Sequence, residues 1–126
     1  ACCPSNICRF IPSVPGYVYA VHNNDVYVNL FMGNSADVKV NGKTVHLQQE
    51  TNYPWSGNIQ LNVSPKGKQT FNLKIRIPGW VKNSAVPGNL YSYTDKKNLH
   101  YSIKINGKAV EATEEKGYFT IEARVE

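Results

Sequence analysis

A chain of 126 residues has room for one domain with its own apolar core and does not need disulfides to hold it. Its three cysteines cannot all pair within one chain, and a bridge between the adjacent Cys2 and Cys3 is strained, which makes it a poor structural disulfide. No apolar run approaches the roughly 20 residues of a membrane helix.

The formal charge of +5 divides unevenly along the chain. Residues 1–50 hold three basic and three acidic side chains, residues 51–110 nine basic and one acidic, and residues 111–126 two basic and five acidic. In the basic middle, Lys74 and Arg76 alternate along "FNLKIRI", and Lys66/Lys68 and Lys96/Lys97 flank turns. Alternating charge is the solvated face of a half-buried strand. No RNP-like, zinc-finger or helix-turn-helix pattern accompanies it, so neither nucleic acid nor a membrane is an expected partner.

In chain order, "ACCPSNICRF" comes first. Ser5 or Asn6 can cap a short helical turn over residues 5–11, which Pro12 and Pro15 cut off. From Gly16 onward alternation dominates. "GYVYAVHNNDVYVNLFM" gives two strands around "NND", and "ADVKVNGKTVHLQ" two more on Asn41-Gly42, a type I′ hairpin dipeptide. "NIQLNVSPKGKQTFNLKIRIP" spans two strands across "SPKGK". "VKNSAVPGNLYSYTDKKNL" has poor periodicity and reads as a long loop excursion at about 81–101. "YSIKINGKAVEA" is a hairpin on Asn106-Gly107, and "GYFTIEARVE" is a closing strand. About nine strands are predicted in all.

The fold expected is all-β: a jelly-roll-like β-sandwich over residues 16–126, after a short helical or irregular lead-in over residues 1–15. "VKVNGKTV" at 38–45 returns as "IKINGKAV" at 103–110. Two origins fit that echo: a duplicated hairpin in corresponding places on two sheets, or the chemistry that any Asn-Gly turn dictates.

Chemistry-bearing residues are few. His22, His46 and His100 lie within or beside strands, with no Ser/His/Asp grouping that spacing alone supports. Asp25 reads as a turn residue, Asp37 as adjacent to one, and Glu114 and Glu115 as loop residues, so no acid–base pair of a glycosidase is visible. That leaves the thiols. Cys2, Cys3 and Cys8 with a histidine could complete a tetrahedral zinc site, although the spacing is not that of a zinc knuckle. Adjacent cysteines reach one ion only from a bent segment, which Pro4 favours. Cys8 alone reads as a small buried side chain on the short helix.

The residues "CCPSNICR", "YVYAVHNNDVYVNLF", "YPWSGNIQLNV" and "KIRIPGW" together resemble the later part of glycoside hydrolase family 127, the β-L-arabinofuranosidases and their bacterial relatives. The similarity covers nearly the whole chain outside 81–101, and the pairing of "CCPxN" with "RIPGW" about seventy residues later is its specific part. The resemblance implies an α/α toroid upstream of β-sandwich domains, with the adjacent cysteines at the junction. By resemblance Cys2 matches the nucleophile, which forms a thioglycosyl intermediate with net retention, and is also a zinc ligand. Cys3 matches a second zinc ligand. The third cysteine ligand, the glutamate ligand and the glutamate general acid are expected upstream. Relatives usually carry a small residue where Cys8 stands and often a second proline where Ser5 stands, and they continue with further strands beyond "IEARVE". The expectation is a fragment holding half a zinc site, with zinc in the full-length parent and none retained by this piece. Any signal peptide would lie upstream of Ala1, which leaves the compartment, cytoplasmic or periplasmic, undetermined.

Three functions follow. The chain is a segment of a carbohydrate-cleaving enzyme, inactive alone. Alternatively it is a sugar-binding module, with Trp55, Tyr91 and Tyr93 as platforms for sugar rings, Tyr91 and Tyr93 sharing one face if that stretch is extended. Or it is a structural sandwich that buttresses the toroid, which predicts an uncovered apolar face.

Overall fold

A computed structural model describes residues 2–111 and 113–125. Helix α1 (Cys2–Phe10) runs into a single 3-10 turn at Ile11–Ser13 and a one-turn helix α2 (Pro15–Val18). Ten strands follow among the described residues: β1 (Tyr19–His22), β2 (Asp25–Val28), β3 (Asn34–Val40), β4 (Lys43–Thr51), β5 (Ile59–Pro65), β6 (Gln69–Arg76), β7 (Ile103–Ile105), β8 (Lys108–Val110), β9 (Glu114–Glu115) and β10 (Tyr118–Val125). A second 3-10 turn, Gly79–Lys82, follows β6, and no helix or strand lies between it and β7 among the described residues.

The strands form a five-stranded sheet in the order β1-β2-β6-β10-β9, a three-stranded sheet β3-β4-β5 and a separate ribbon β7-β8. The two larger sheets face each other across one core, as the alternating pattern predicts. Val26 and Val28 of β2 and Phe71 and Leu73 of β6 meet Val40 of β3 and Val45 and Leu47 of β4, all buried. Each such side chain contributes about 1.5–3 kcal/mol by leaving water.

Turn chemistry sets the hairpins. Asn41 and Gly42 both take positive φ (51° and 77°), as do Asn106 and Gly107 (49° and 80°), which is the type I′ requirement. The two echoed hairpins do not occupy corresponding sheet positions: one builds the three-stranded sheet, while the other stands as its own ribbon. "SPKGK" carries the chain from one sheet to the other, since β5 and β6 belong to different sheets. The β2–β6 pair is parallel, with Asp25 opposite Asn72 and Val28 opposite Ile75. This pairing closes the five-stranded sheet over the whole intervening one.

Several sequence expectations are corrected. The helix starts at Cys2, so Ser5 is not its cap: its Oγ donates to the Cys2 carbonyl at 2.9 Å. The helical lead-in extends to Val18 because Pro15 opens a new turn rather than only ending the old one. Cys8 is exposed, because α1 buries no residue. Asp25 begins a strand and Asp37 lies within one. Glu114 and Glu115 pair with β10 across Lys116-Gly117, another turn with two positive φ values.

Buried Gln49 locks the segment after β2 in place. Its Nε2 donates to the Tyr19 hydroxyl at 2.9 Å and to the Leu30 carbonyl at 3.2 Å. Asn34 Nδ2 holds the Met32 carbonyl at 2.7 Å, and Tyr19 donates to Asn34 Oδ1 at 3.0 Å. Residues 29–33 are thereby fixed where they form one wall of a cleft.

Candidate functional site

The first turn of α1 brings the adjacent thiols together. Cys2 Sγ and Cys3 Sγ are 3.7 Å apart and exposed. That distance is far too long for a disulfide, which needs about 2.05 Å. Two thiolates bound at about 2.3 Å to one tetrahedral ion stand about 3.8 Å apart, so the pair fits one edge of a zinc tetrahedron. The helix supplies the bend that an extended chain lacks. Among the described residues no group of three or more Cys, His, Asp or Glu side chains gathers to hold an ion, so Cys8 does not join the pair.

A cleft of about 370 Å³ lies where the motif "RIPGW" leaves β6. Arg76, Pro78, Gly79 and Trp80 form one side; Asn29, Phe31 and Tyr53 the second; the loop from Ser84 to Tyr93 the third. Pro78, extended at ψ 135°, turns the chain out of the sheet, and Asn83 at φ 58° ends the 3-10 turn. The Ser84 N–H then donates to the Gly79 carbonyl at 2.9 Å. A Cβ at Gly79 would stand 3.1 Å from the Ser84 carbonyl oxygen, so glycine is what lets the outer wall close in. Phe31 and Tyr53 meet edge-to-face at 5.8 Å, which stiffens the opposite wall.

The loop is tied down at its ends. Asn83 Nδ2 donates to the Lys97 carbonyl at 3.0 Å, and the Lys97 N–H returns to Asn83 Oδ1 at 2.9 Å. Lys82 pairs with Glu114, which also accepts from the Tyr101 hydroxyl at 2.9 Å. The Lys82 hydrogen bond holds the Glu114 carboxyl below its usual range, and the same carboxylate pushes the Tyr101 phenol up.

On the outer face of the five-stranded sheet, Lys74 Nζ and Asp25 Oδ2 pair at 2.8 Å. Asn72 Nδ2 adds a bond to Asp25 Oδ1 at 2.8 Å. These donors, Lys74 first, lower the Asp25 carboxyl, and Asp25 in turn raises Lys74. Tyr118 donates to Asn29 Oδ1 at 2.8 Å, which fixes the orientation of that amide at the cleft.

The structure also assembles a Ser/His/Asp grouping that spacing did not suggest. His46 Nδ1 lies 2.7 Å from Asp37 Oδ1, and its Nε2 3.2 Å from Ser35 Oγ. The signal was in the Asn41-Gly42 turn, whose register places Asp37 opposite His46. The grouping lies on an open strand surface, with His46 and Asp37 side chains 42% and 59% exposed. Water competes for each bond on so open a surface; it is a cross-strand polar ladder.

Of the aromatic residues singled out from the sequence, only Tyr93 reaches the cleft. Trp55 stands 92% exposed on the turn after β4, and Tyr91 is exposed without lining the cleft. Sequence reasoning missed the cleft itself. Arg76 and Trp80 were visible in a motif, but Asn29 and Tyr53 come from remote segments that only the sandwich brings there.

A β-sandwich headed by a short helix that sets two exposed adjacent thiols side by side is a sheet domain with a thiol pair at its edge. The profile of the middle domain of beta-L-arabinofuranosidases of glycoside hydrolase family 127 matches residues 25–126, and the chain belongs to that family. It is 32% identical over 123 residues to a non-reducing end beta-L-arabinofuranosidase of Bifidobacterium longum subsp. longum, covering 94% of this chain and 16% of that protein. A solved GH127 beta-arabinofuranosidase superposes with a TM-score of 0.91 at 52% identity, over 98% of this chain and 19% of the other. A second, the GH127 beta-L-arabinofuranosidase from Geobacillus stearothermophilus T6, superposes at 0.82 with 33% identity, over 99% and 17%. The chain thus spans under a fifth of each of these relatives.

Proposed function

We propose that this chain is the junction helix and middle β-domain of a retaining β-L-arabinofuranosidase, with Cys2 as its nucleophile. The observation that carries the reading is the exposed thiol pair at 3.7 Å at the head of a family 127 domain. Cys2 and Cys3 would hold two corners of a zinc site, and the ion when bound keeps both sulfurs deprotonated near neutral pH, below the ordinary thiol value of about 8.5. The Cys2 thiolate attacks the anomeric carbon, and the glycosidic C–O bond breaks. The leaving oxygen takes a proton from a carboxylic acid outside residues 1–126. Water, giving its proton to the same carboxylate, then displaces the sulfur and restores the thiolate with net retention. With neither that acid nor the remaining metal ligands, the 126-residue chain does not turn over. Its own part is to buttress an α/α toroid and to carry the nucleophile at the shared edge.

The test is Cys2→Ser in a parent-length protein carrying this segment. Hydrolysis of an aryl β-L-arabinofuranoside is expected to fall to background and bound zinc, measured by mass spectrometry, to fall with it. A normal rate in that variant removes Cys2 from the chemistry.

A second reading rests on Trp55. An indole 92% exposed is apolar area suited to the flat face of a sugar ring, so Trp55 serves as a sugar platform.

A further inference from the structure

We propose that the cleft built by "RIPGW" is a binding site for an acidic sugar: a hexuronate unit whose carboxylate pairs with Arg76 and whose ring packs on Trp80 and Tyr93. The thiol pair takes no part in lining it, and binding here is read without turnover, so this proposal and the hydrolytic one can each fail alone.

Charge comes first. Arg76 is the one charged side chain among the residues that line the cleft. Two residues earlier on the same strand, Lys74 is neutralised by Asp25 at 2.8 Å. The Arg76 side chain has no such partner: beyond the backbone ladder to Tyr118, it makes no hydrogen bond or ion pair with a described residue. Only one acidic side chain, Asp95, falls in residues 51–110, and it is not at the cleft. A guanidinium that faces a concave surface without a carboxylate is a fork prepared for a planar bidentate anion.

The walls then narrow the class. Asn29 accepts from Tyr118 at 2.8 Å through its Oδ1, which leaves its Nδ2 without a partner as a donor for hydroxyl or ring oxygens. Trp80 and Tyr93, each 43% exposed, are two aromatic side chains in the cleft lining. Aromatic faces with a few convergent polar groups suit a sugar ring rather than a bare inorganic anion. At about 370 Å³ the space lies near the lower end of small-molecule sites, the scale of a mono- or disaccharide. The loop's ties at Asn83, Ser84 and Glu114 mean that little ordering is needed when the ligand enters.

The experiment is calorimetric titration of this chain with digalacturonate and with its methyl ester, which keeps the shape and loses the charge. Saturable binding of the acid is expected, at least tenfold weaker for the ester, and at least tenfold weaker for the acid in Arg76→Gln. Trp80→Ala is expected to weaken acid and ester alike, because it removes the platform and not the charge. The acid–ester comparison needs no variant, so it decides even if a substitution unfolds the domain. No saturable binding of the acid, equal binding of acid and ester, or a folded Arg76→Gln that binds normally each overturns the proposal.

Discussion

Asp25 shows how a single residue ties sheet geometry to solution behaviour. It opens β2, and the parallel register with β6 sets it opposite Asn72; Lys74 and Asn72 reach it at 2.8 Å from that strand. The pair is only about a fifth exposed on either side, so solvent screens it less than it would a fully open surface pair. The Asp25 carboxyl sits below its ordinary 3.8 in the folded state. A depressed carboxylate contributes stability that is complete above the unfolded value and disappears as pH falls through the folded one. Lys74, raised above 10.5, has the opposite sign: its contribution is complete below that value and disappears as pH rises through the folded one. Melting temperature is therefore expected to hold level between about pH 5 and the lysine range and to fall on acidification below the usual carboxylate range. Asp25→Asn lowers the plateau and makes the acid-side decline shallower, with the remaining slope due to Glu114, which is lowered by Lys82. Thermal melts from neutral to strongly acidic pH check this; parallel curves for variant and parent would show that Asp25 carries none of the slope.

Among the elements, the two Asn-Gly hairpins give a natural comparison. Both turns place glycine at φ near 80° (77° at Gly42 and 80° at Gly107), a conformation that costs an L side chain about 1–2 kcal/mol. Gly42 joins β3 to β4, which bury Val40, Val45 and Leu47 in the core, so β3–β4 cannot open without losing that packing. The β7–β8 ribbon buries nothing completely, and a lone hairpin is marginal in water. Gly42→Ala is expected to lower the unfolding free energy by the full strain, whereas Gly107→Ala lowers it less, because the ribbon can release the strain by opening locally. Urea titrations of the two variants settle the order, and equal losses would mean that β7–β8 unfolds with the sandwich. The same contrast marks the limits of the sequence. Turns were legible because Asn-Gly carries its backbone conformation locally, and strands because alternation is local. The parallel β2–β6 pairing joins residues as distant as Asp25 and Asn72, for which no local pattern exists. Cys8 looked buried because free cysteine packs as a small hydrophobe, yet burial depends on what covers a helix, and no described side chain of α1 is buried. At the site, the thiol pair was legible as two letters and the cleft was not, since its walls come from three separate stretches.

At the scale of the whole molecule, the sandwich core and α1 differ in what holds them. The core is closed between two sheets. Helix α1 is nine residues long with no buried side chain, shorter than the roughly 12–15 residues that an isolated helix needs to persist in water. Ile7, Phe10 and Ile11 recur at the spacing of one helical face and are 56%, 61% and 61% exposed. An apolar helical stripe of this kind is stable when another surface covers it. Relatives more than five times as long provide room for that surface, and the proposed toroid is its occupant. Hydrogen exchange separates the two situations. In the 126-residue chain the amides of α1 are expected to exchange at nearly unprotected rates, while those of β4 and β6 are slowed by orders of magnitude through their buried ladders. In a parent-length protein the α1 amides should join the protected set, because covering Ile7, Phe10 and Ile11 ties helix opening to loss of the interface. If α1 is already as protected as β6 in the 126-residue chain, the helix holds itself without a partner, and the thiol pair at its first turn needs no second domain to position it.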